Sequence, residues 1–379
     1  MERVNQITYW GGTEIPIDYF SMANIIIIMG LSAFFLGYLM GESVDYTKQI
    51  KKSISKELKD QQKFKKKQFV MTLFLLAISI SSSFIIAFMN NFNPLTILLR
   101  GVKHASRSPY LDNQIISLFY YHVIKPLPIV VLLLYYYISF ENKKSFFKKF
   151  IMFIFIIIAI FFTAPTSVAR FLAVSLYIPV LLIFFKFFDK KYIIHFCSIA
   201  GIMVILPFLD KFRYFSYEKF NFEINYDFLF EGHFDAYQNF VRLISINYIS
   251  YGSQLLGSLL FFIPRKFWEE KPIGSGAFLA ELGHLNFSNI SMPFIGEGFI
   301  NFSVFGSIIF MFILGLICGM MDKYYWSLKY QIKQHSFFYL YYLCLGLLLF
   351  VMRGDFLSGF AYSSAMILVY LFILRLLKL

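Results

Sequence analysis

The most regular feature of the sequence is a series of apolar runs, several of them near 20 residues long, separated by short polar segments. A helix that spans a bilayer needs about 20 apolar residues, whereas a membrane β-strand shows about 10 residues of alternating polarity. The run Phe69–Met89 reads FVMTLFLLAISISSSFIIAFM and is apolar on every face. The pattern predicts an all-α polytopic integral membrane protein with about nine transmembrane helices.

The apolar runs place the predicted spans at 22–40, 69–89, 114–140, 150–163, 171–185, 193–209, 299–320, 337–352 and 358–376. The first six spans, with a lysine-rich cytoplasmic loop at 41–68, make up the N-terminal part, 1–209. One large outer loop occupies 210–295, and the last three spans lie in 296–379. In the third span, KPLP (Lys125–Pro128) is expected to break or kink the helix.

Basic residues set the predicted orientation. Nine lysines lie between Lys48 and Lys67, and the positive-inside rule makes that segment cytoplasmic. Over the whole chain the predicted inner segments carry 21 Lys and Arg, and the short outer segments carry six. The long loop then faces outward. Long structured loops are usually functional, so we expect the function there.

Two helical elements are expected within the outer loop. Apolar residues recur at helical spacing and polar residues take the other faces, which predicts an amphipathic helix at the membrane–water interface. The apolar set is Phe234, Tyr237, Phe240, Val241, Ile244 and Tyr248, and the polar set is Asp235, Gln238, Asn239 and Arg242. The following run, Tyr248–Pro264, is interrupted by two glycines and a glutamine, which favours a re-entrant or interfacial helix over a tenth span.

Composition narrows the function classes. The chain is 58% hydrophobic and only 15% charged, with a net charge of +13, so its basic residues indicate topology rather than a nucleic-acid surface. No Walker loop, dinucleotide fingerprint, HExxH or DxD-type metal pair occurs in the sequence, which leaves ATP-driven or metal-driven chemistry without support. Cys197, Cys318 and Cys344 lie in apolar runs and predict neither a disulfide nor a zinc site.

Charged residues at the outer membrane face are the candidates for chemistry, because a charge at membrane depth is costly and usually functional. They are Arg170, Arg265, Lys266, Glu297, Arg353 and Asp355. Arginine suits a phosphate group, because its planar guanidinium can donate to two oxygens at once. Glu297, His284 and Asp355 are the groups that could accept a proton.

Each candidate also has a structural interpretation. Arg170 or Arg353 alone fits a snorkelling anchor, and Arg353 could pair with Asp355. Glu297 could bond to the start of the seventh span, where the helix dipole favours an acid. His284 could be an ordinary polar loop residue. Three arginines on one membrane face beside a lone carboxylate favour a binding site.

The second half of the chain resembles the bacterial oligosaccharide repeat-unit polymerases of the Wzy type. The matching pieces are FDAYQNF (234–240), FIPRKFWEEKP (262–272) and GEGFINFSVFG (296–306), and they occur in the order and spacing associated with that family. The specific resemblance covers about 221–320. It implies an inner-membrane glycosyltransferase with its site facing the periplasm, acting without a metal or other cofactor.

The substrates implied by the resemblance are undecaprenyl-diphosphate-linked oligosaccharides, joined into O-antigen or capsular polysaccharide. A polysaccharide chain-length regulator is a further partner that it suggests, membrane lipid surrounds the site, and nucleic acid has no part. The resemblance implies that the diphosphate is bound by Arg170, Arg265, Lys266 and Arg353. Glu297 is the first choice for the base, with His284 and Asp355 after it.

Other functions stay open from the sequence. An O-antigen ligase, which moves finished polysaccharide onto the lipid A core, shares the same chemistry and a large periplasmic loop. A polysaccharide flippase or other transporter would also place charges in the membrane, but its site is expected near the bilayer midplane. A non-catalytic scaffold is the remaining alternative.

Overall fold

The computed structural model describes residues 15–100, 108–139, 145–185, 192–212 and 235–378. Within these ranges all regular structure is helical, with no strand. The α-helices are α1 (Ile17–Glu42), α2 (Thr47–Met89), α3 (Pro94–Leu98), α4 (Gln114–Phe119), α5 (Leu127–Ser139), α6 (Phe146–Phe162), α7 (Arg170–Phe184), α8 (Ile193–Ala200), α9 (Leu206–Asp210), α10 (Ala236–Ile246), α11 (Ser253–Leu259), α12 (Ser275–Leu282), α13 (Phe294–Lys329), α14 (Ser336–Arg353) and α15 (Phe356–Lys378). A 3₁₀ turn lies at Pro109–Asp112, and π turns lie at Tyr120–Ile124 and Gly201–Ile205.

Six helical stretches are long and apolar enough to cross a membrane, and they identify a multi-pass membrane protein. They are Ile17–Glu42, Thr47–Met89, Gln114–Ser139, Phe294–Lys329, Ser336–Arg353 and Phe356–Lys378. The other three predicted spans coincide with the shorter helices α6, α7 and α8–α9. Helix α7 has 15 residues and is therefore about 22 Å long, less than the ~30 Å hydrocarbon core. The total of nine spans stays a prediction.

The lysine-rich segment predicted as a loop at 41–68 is helical from Thr47 onward. It forms the first part of α2, a single helix of 43 residues that also contains the second predicted span. Between Thr47 and Met89 the chain has no glycine or proline, and Lys, Gln and Glu are good helix formers. At 1.5 Å per residue α2 is about 65 Å long, twice the thickness of a bilayer core. The charged part of the sequence therefore extends a spanning helix instead of ending it.

The described residues fall into two compact units. The first is drawn from Met1–Thr47, Tyr226–Ser327 and Leu348–Ser363, and the second from Lys48–Asn225, Leu328–Leu347 and Ser364–Leu379. The first unit holds most of the predicted site residues. Its apolar core joins α1, α10, α12 and the first turns of α13.

Close helix packing in the first unit depends on two pairs of glycines. A Cβ on Gly37 or Gly41 of α1 would lie 2.2–2.4 Å from the backbone oxygens of Phe312 and Leu316. In return, a Cβ on Gly315 or Gly319 of α13 would lie 2.0–2.1 Å from backbone oxygens of α1. Both helices thus carry the small-xxx-small pattern that lets membrane helices approach closely.

Helix α10 differs from the interfacial helix predicted from its sequence. Its apolar face is buried as expected, with Phe240 and Val241 in the core, but its polar face is buried too: Asn239 is 0% exposed and Arg242 is 5% exposed. Phe234, assigned to the same helix, lies outside the described residues. The helix is therefore an internal element of the first unit. The run after it forms only the seven-residue α11, about 10 Å long, so no tenth span arises there.

The second unit contains a buried polar cluster centred on Glu57 of α2, which is 2% exposed. Its carboxylate accepts hydrogen bonds from the Tyr137 hydroxyl and from the Ser336 N–H, the latter at 3.1 Å. Lys378 Nζ lies 3.4 Å from Glu57 Oε2. His335 accepts the Phe337 N–H at Nδ1, so its Nε2 carries the ring hydrogen and donates to Ser53 Oγ at 2.9 Å. One face of the lysine-rich segment is therefore interior.

Candidate functional site

The site is built on a sharp turn inside α13. At Phe302 and Ser303 the backbone leaves helical geometry, and Ser303 has φ 58° and ψ −152°, a region that residues other than glycine rarely adopt. The Ser307 hydroxyl donates to the Ile295 carbonyl at 2.9 Å. In a straight helix these residues would be about 18 Å apart along the axis. Phe294–Asn301 is therefore a short helix that folds back on the long one.

Glycines make this reversal sterically accessible. A Cβ on Gly298 would lie 2.5 Å from the Gly306 carbonyl oxygen, and a Cβ on Gly306 would lie 2.1 Å from the Gly298 carbonyl oxygen. Larger residues at either position would push the two helical segments apart. Glycine is therefore required at both positions for steric reasons. The segment GEGFINFSVFG forms this turn.

Asn301 fixes the end of the short helix. Its side-chain oxygen accepts hydrogen bonds from the Leu255 N–H at 2.8 Å and the Ser250 hydroxyl at 3.2 Å. Its amide group donates to the Glu297 carbonyl at 2.8 Å. Asn301 is 1% exposed, so these bonds are formed in a dry interior. The asparagine joins α11 and the loop before it to the segment that carries Glu297.

Glu297 lies on the short helix and is 2% exposed. Its Oε1 accepts hydrogen bonds from the Ser275 hydroxyl and from the Phe356 N–H, the latter at 2.7 Å. Ser275 is the first residue of α12 and Phe356 the first residue of α15. The carboxylate therefore sits at the positive ends of two helices in addition to its own. Oε2 accepts no hydrogen bond from any residue in the described part of the chain.

Asp355 caps α15. Its carboxylate accepts the Ser358 N–H at 2.9 Å and the Ser358 hydroxyl at 3.0 Å, the pattern of a helix N-cap. A Cβ added to Gly274 would lie 2.9 Å from Asp355 Oδ1, so Asp355 faces Gly274, the residue before Ser275, whose hydroxyl donates to Glu297. The structure brings these two predicted acids together, and gives Asp355 a structural role.

Arg353 pairs with Asp235 rather than with Asp355. Arg353 Nη2 lies 3.4 Å from Asp235 Oδ1; the side chain of Arg353 is 28% exposed and that of Asp235 only 4%. The remaining acceptor capacity of Asp235 is used by Asn239 at 2.9 Å and by the Ser291 N–H at 3.0 Å, with the Ser291 hydroxyl also donating. A buried carboxylate thus holds one edge of a partly exposed guanidinium.

Arg353 lies near Glu297 because the residue that bonds the Glu297 carboxylate follows Arg353 closely in the chain. Phe356, which bonds Glu297, follows Arg353 by three residues, a separation that an extended chain limits to about 11 Å between Cα atoms. The short-helix carboxylate and the partly exposed arginine therefore belong to one neighbourhood of the first unit. Group transfer requires two groups together: a carboxylate that can take a proton and a cation that can hold an anion.

The guanidinium of Arg265 is engaged in its own loop. It donates to the Lys271 and Pro272 carbonyls, and Lys271 in turn donates to the Phe261 and Ile263 carbonyls at 2.7 and 2.9 Å. Burial, followed by the neighbouring Arg265 charge, lowers the pKa of Lys271. FIPRKFWEEKP is thus a loop closed by two cations. Lys266 is exposed on it.

His284 lies at the opposite end of α12 from Glu297. Its φ of 50° and the bonds from its N–H to the Glu281 carbonyl and from the Leu285 N–H to the Ala280 carbonyl form a Schellman motif. Nine residues separate it from Ser275, about 13 Å along the helix. His284 therefore cannot share a proton with Glu297 directly. Arg170, the first residue of α7, belongs to the second unit.

Four residues of the site were not singled out from the sequence: Asp235, Ser275, Ser291 and Asn301. Asn301 was visible, because it is the asparagine of the GEGFINFSVFG motif. Asp235 was assigned to a polar helix face, and nothing in its neighbours indicates that a residue 118 positions away would pair with it. Ser275 and Ser291 carry no sequence signal.

Within the described ranges, no cluster of three or more His, Cys, Asp or Glu side chains could hold a metal ion. The chain matches no protein-family model, and no curated protein or solved structure resembles it at a significant level.

Proposed function

We propose that this protein is a polymerase that joins undecaprenyl-diphosphate-linked oligosaccharide repeat units into O-antigen or capsular polysaccharide. The proposal includes the nine-span topology and a site facing the periplasm of the bacterial inner membrane. One observation carries it: GEGFINFSVFG, the most distinctive part of the resemblance, is the folded-back turn that holds Glu297 in a buried position close to Arg353.

In the proposed reaction a sugar hydroxyl of one lipid-linked unit attacks the anomeric carbon of the growing chain. The new carbon–oxygen bond forms as the bond to the diphosphate breaks, and undecaprenyl diphosphate leaves with the electron pair. The hydroxyl proton passes to Glu297, whose Oε2 accepts no hydrogen bond from the described residues. Oε1 meanwhile stays bonded to the two helix starts, so the base is held in place while it works.

Arg353 is the residue we assign to the diphosphate. The Arg353 side chain is 28% exposed and paired with Asp235 at one edge, and its positive charge would stabilise the oxygens that gain charge as the bond breaks. Arg265, whose guanidinium bonds to the Lys271 and Pro272 carbonyls, and Lys266, an exposed cation of the same loop, keep the diphosphate-binding role as a prediction from the sequence. Arg170 keeps the role predicted from the sequence alone.

The decisive experiment compares surface polysaccharide from a strain lacking this gene with that of its parent. A product with a single repeat unit is the expected result. Complete chains left on the undecaprenyl carrier would identify a ligase, and repeat units trapped on the cytoplasmic side would identify a flippase. Purified protein in nanodiscs should then extend lipid-linked repeat units without added nucleotide or metal.

A further inference from the structure

A cavity of about 370 Å³ lies in the second unit, between the end of α5 and the start of α6. Its walls are almost entirely apolar and include Tyr136 and Ser139 of α5 and Met152 and Ile156 of α6. The volume is within the ~300–1,000 Å³ range of small-molecule sites. The Tyr136 ring packs edge-on against Phe184, with centroids 5.0 Å apart, so this wall is fixed by its neighbours.

Two lysines line the cavity at the end where α6 begins. Lys148 Nζ donates to Gln68 Oε1, and the Lys148 carbonyl accepts the Tyr135 hydroxyl at 3.2 Å. The ammonium group has three N–H donors, so its bond to Gln68 leaves two for a ligand. Lys149 is exposed. Ser145, the N-cap of α6, makes no side-chain cap bond, so the positive end of the helix dipole adds to the two charges.

The cavity opens beside exposed apolar side chains of α6. Phe153 lines it and is also 58% exposed. The same side of α6 presents further large apolar side chains to the surroundings of the protein: Phe146, Phe150, Ile157 and Ile160. An occupant that enters from this surface must itself be lipid-soluble, and it must carry negative charge to match the lysines.

We propose that this cavity binds an anionic phospholipid, with an acyl chain against Tyr136, Met152 and Ile156 and the phosphate on Lys148 and Lys149. Basic pockets between helices at a membrane surface bind such headgroups through charge, and apolar walls alone would accept any acyl chain. No acidic side chain is among the described residues that line the cavity. The site is separate from the proposed catalytic residues and does not depend on their function.

The test titrates the purified full-length chain, stripped of lipid in neutral detergent, with dioleoyl phosphatidylglycerol or dioleoyl phosphatidylcholine and counts bound lipids by native mass spectrometry. Each lysine near a lipid phosphate contributes about fivefold in affinity, so phosphatidylglycerol should bind about 25-fold more tightly. Lys149→Gln leaves the Lys148–Gln68 bond intact and should reduce that preference about fivefold. Lys148→Gln with Lys149→Gln should abolish it.

Lys51→Gln with Lys52→Gln is the matched control. These adjacent exposed lysines lie on α2 about 24 Å along the helix from Gln68, beyond the screening length of physiological salt. The control should keep the full preference, and Ile156→Trp should weaken both lipids by filling the cavity. Equal binding of the two lipids by the unaltered chain, or an equal loss in the control, would overturn the proposal. Competition by glycerol phosphate as strong as by phosphatidylglycerol would show that only the phosphate is recognised, and would overturn it too.

Discussion

Replacing Glu297 by glutamine separates a catalytic role for this residue from a structural one. The carboxylate Oε1 accepts hydrogen bonds from the Ser275 hydroxyl and the Phe356 N–H. Glutamine has nearly the same shape, and its amide oxygen can accept both bonds. It cannot take a proton from a sugar hydroxyl at neutral pH. The catalytic role and the structural role therefore predict different results for this single substitution.

The magnitudes differ enough to be measured. A hydrogen bond to a charged acceptor contributes about 1.5–3 kcal/mol and one to a neutral acceptor about 1 kcal/mol, so weakening two bonds should lower the free energy of unfolding by about 1–4 kcal/mol. Loss of a general base lowers the rate by about 10²–10⁴-fold, which is about 3–5 kcal/mol of transition-state stabilisation. Only the rate per folded molecule reports the loss of the general base.

The assay follows extension of lipid-linked repeat units by purified protein in nanodiscs, normalised to folded protein, together with thermal unfolding. Ser275→Ala is the matched control, because it removes one of the two bonds and leaves the carboxylate able to accept a proton. We expect both variants to lower the melting temperature. Glu297→Gln should lose at least 100-fold in rate and Ser275→Ala only a few-fold.

Two results would refute this reasoning. Near-normal extension by Glu297→Gln would exclude the residue as the base. An equal loss of rate in both variants would show that the carboxylate acts by holding the starts of α12 and α15, and that the chemistry lies elsewhere.

Three further predictions follow from other parts of the structure. Asp235→Asn should lower kcat/KM about 10- to 100-fold by misplacing Arg353, with Asp235→Glu partly restoring it; an unchanged kcat/KM would reduce the ion pair to a fold contact. A cysteine at Ser288 should react with an impermeant thiol reagent in intact cells and one at Lys59 should not, and the opposite pattern would invert the topology. Burial lowers the pKa of His335, so its contribution to stability is present above its ordinary pKa and is lost as the pH falls; the melting temperature should drop between pH 8 and 5, and less so in His335→Gln.

The long spans could be predicted because a run of about 20 apolar residues has one stable solution in a bilayer, a helix with all backbone bonds satisfied internally. The ends of the helices were harder to predict from the sequence. At Thr47 the charges suggested a loop, but charge does not oppose helix formation and the backbone has no breaker before Asn90. Positive charge indicates which side of the membrane a segment occupies, and it says little about its local structure.

The fold-back at Phe302–Ser303 could not be predicted, because Phe302 is not a turn residue and Ser303 adopts φ 58° and ψ −152°, a conformation that residues other than glycine rarely take. The conformation is maintained by contacts from outside the segment, chiefly the bonds of Asn301 to α11 and the loop before it, and by the absence of side chains at Gly298 and Gly306. The local sequence makes the fold-back sterically possible, and tertiary packing selects it over a straight helix. The same holds for Arg353, whose partner is fixed only when α10 packs beside it.

The polar helix faces were the least predictable part of the site, for a physical reason. In water a polar stripe faces solvent, so Asp235, Asn239 and Arg242 suggested the outer face of an interfacial helix. In this chain many large apolar side chains are exposed, as Ile28 at 63% and Phe84 at 62% show, and polar groups such as Asn239 have their partners inside. Glu57 in the second unit obeys the same rule. A polar residue on a helix of this protein is therefore better evidence for an interior partner than for a surface, and a search for further site residues should begin with the buried polar side chains that pack around Glu297.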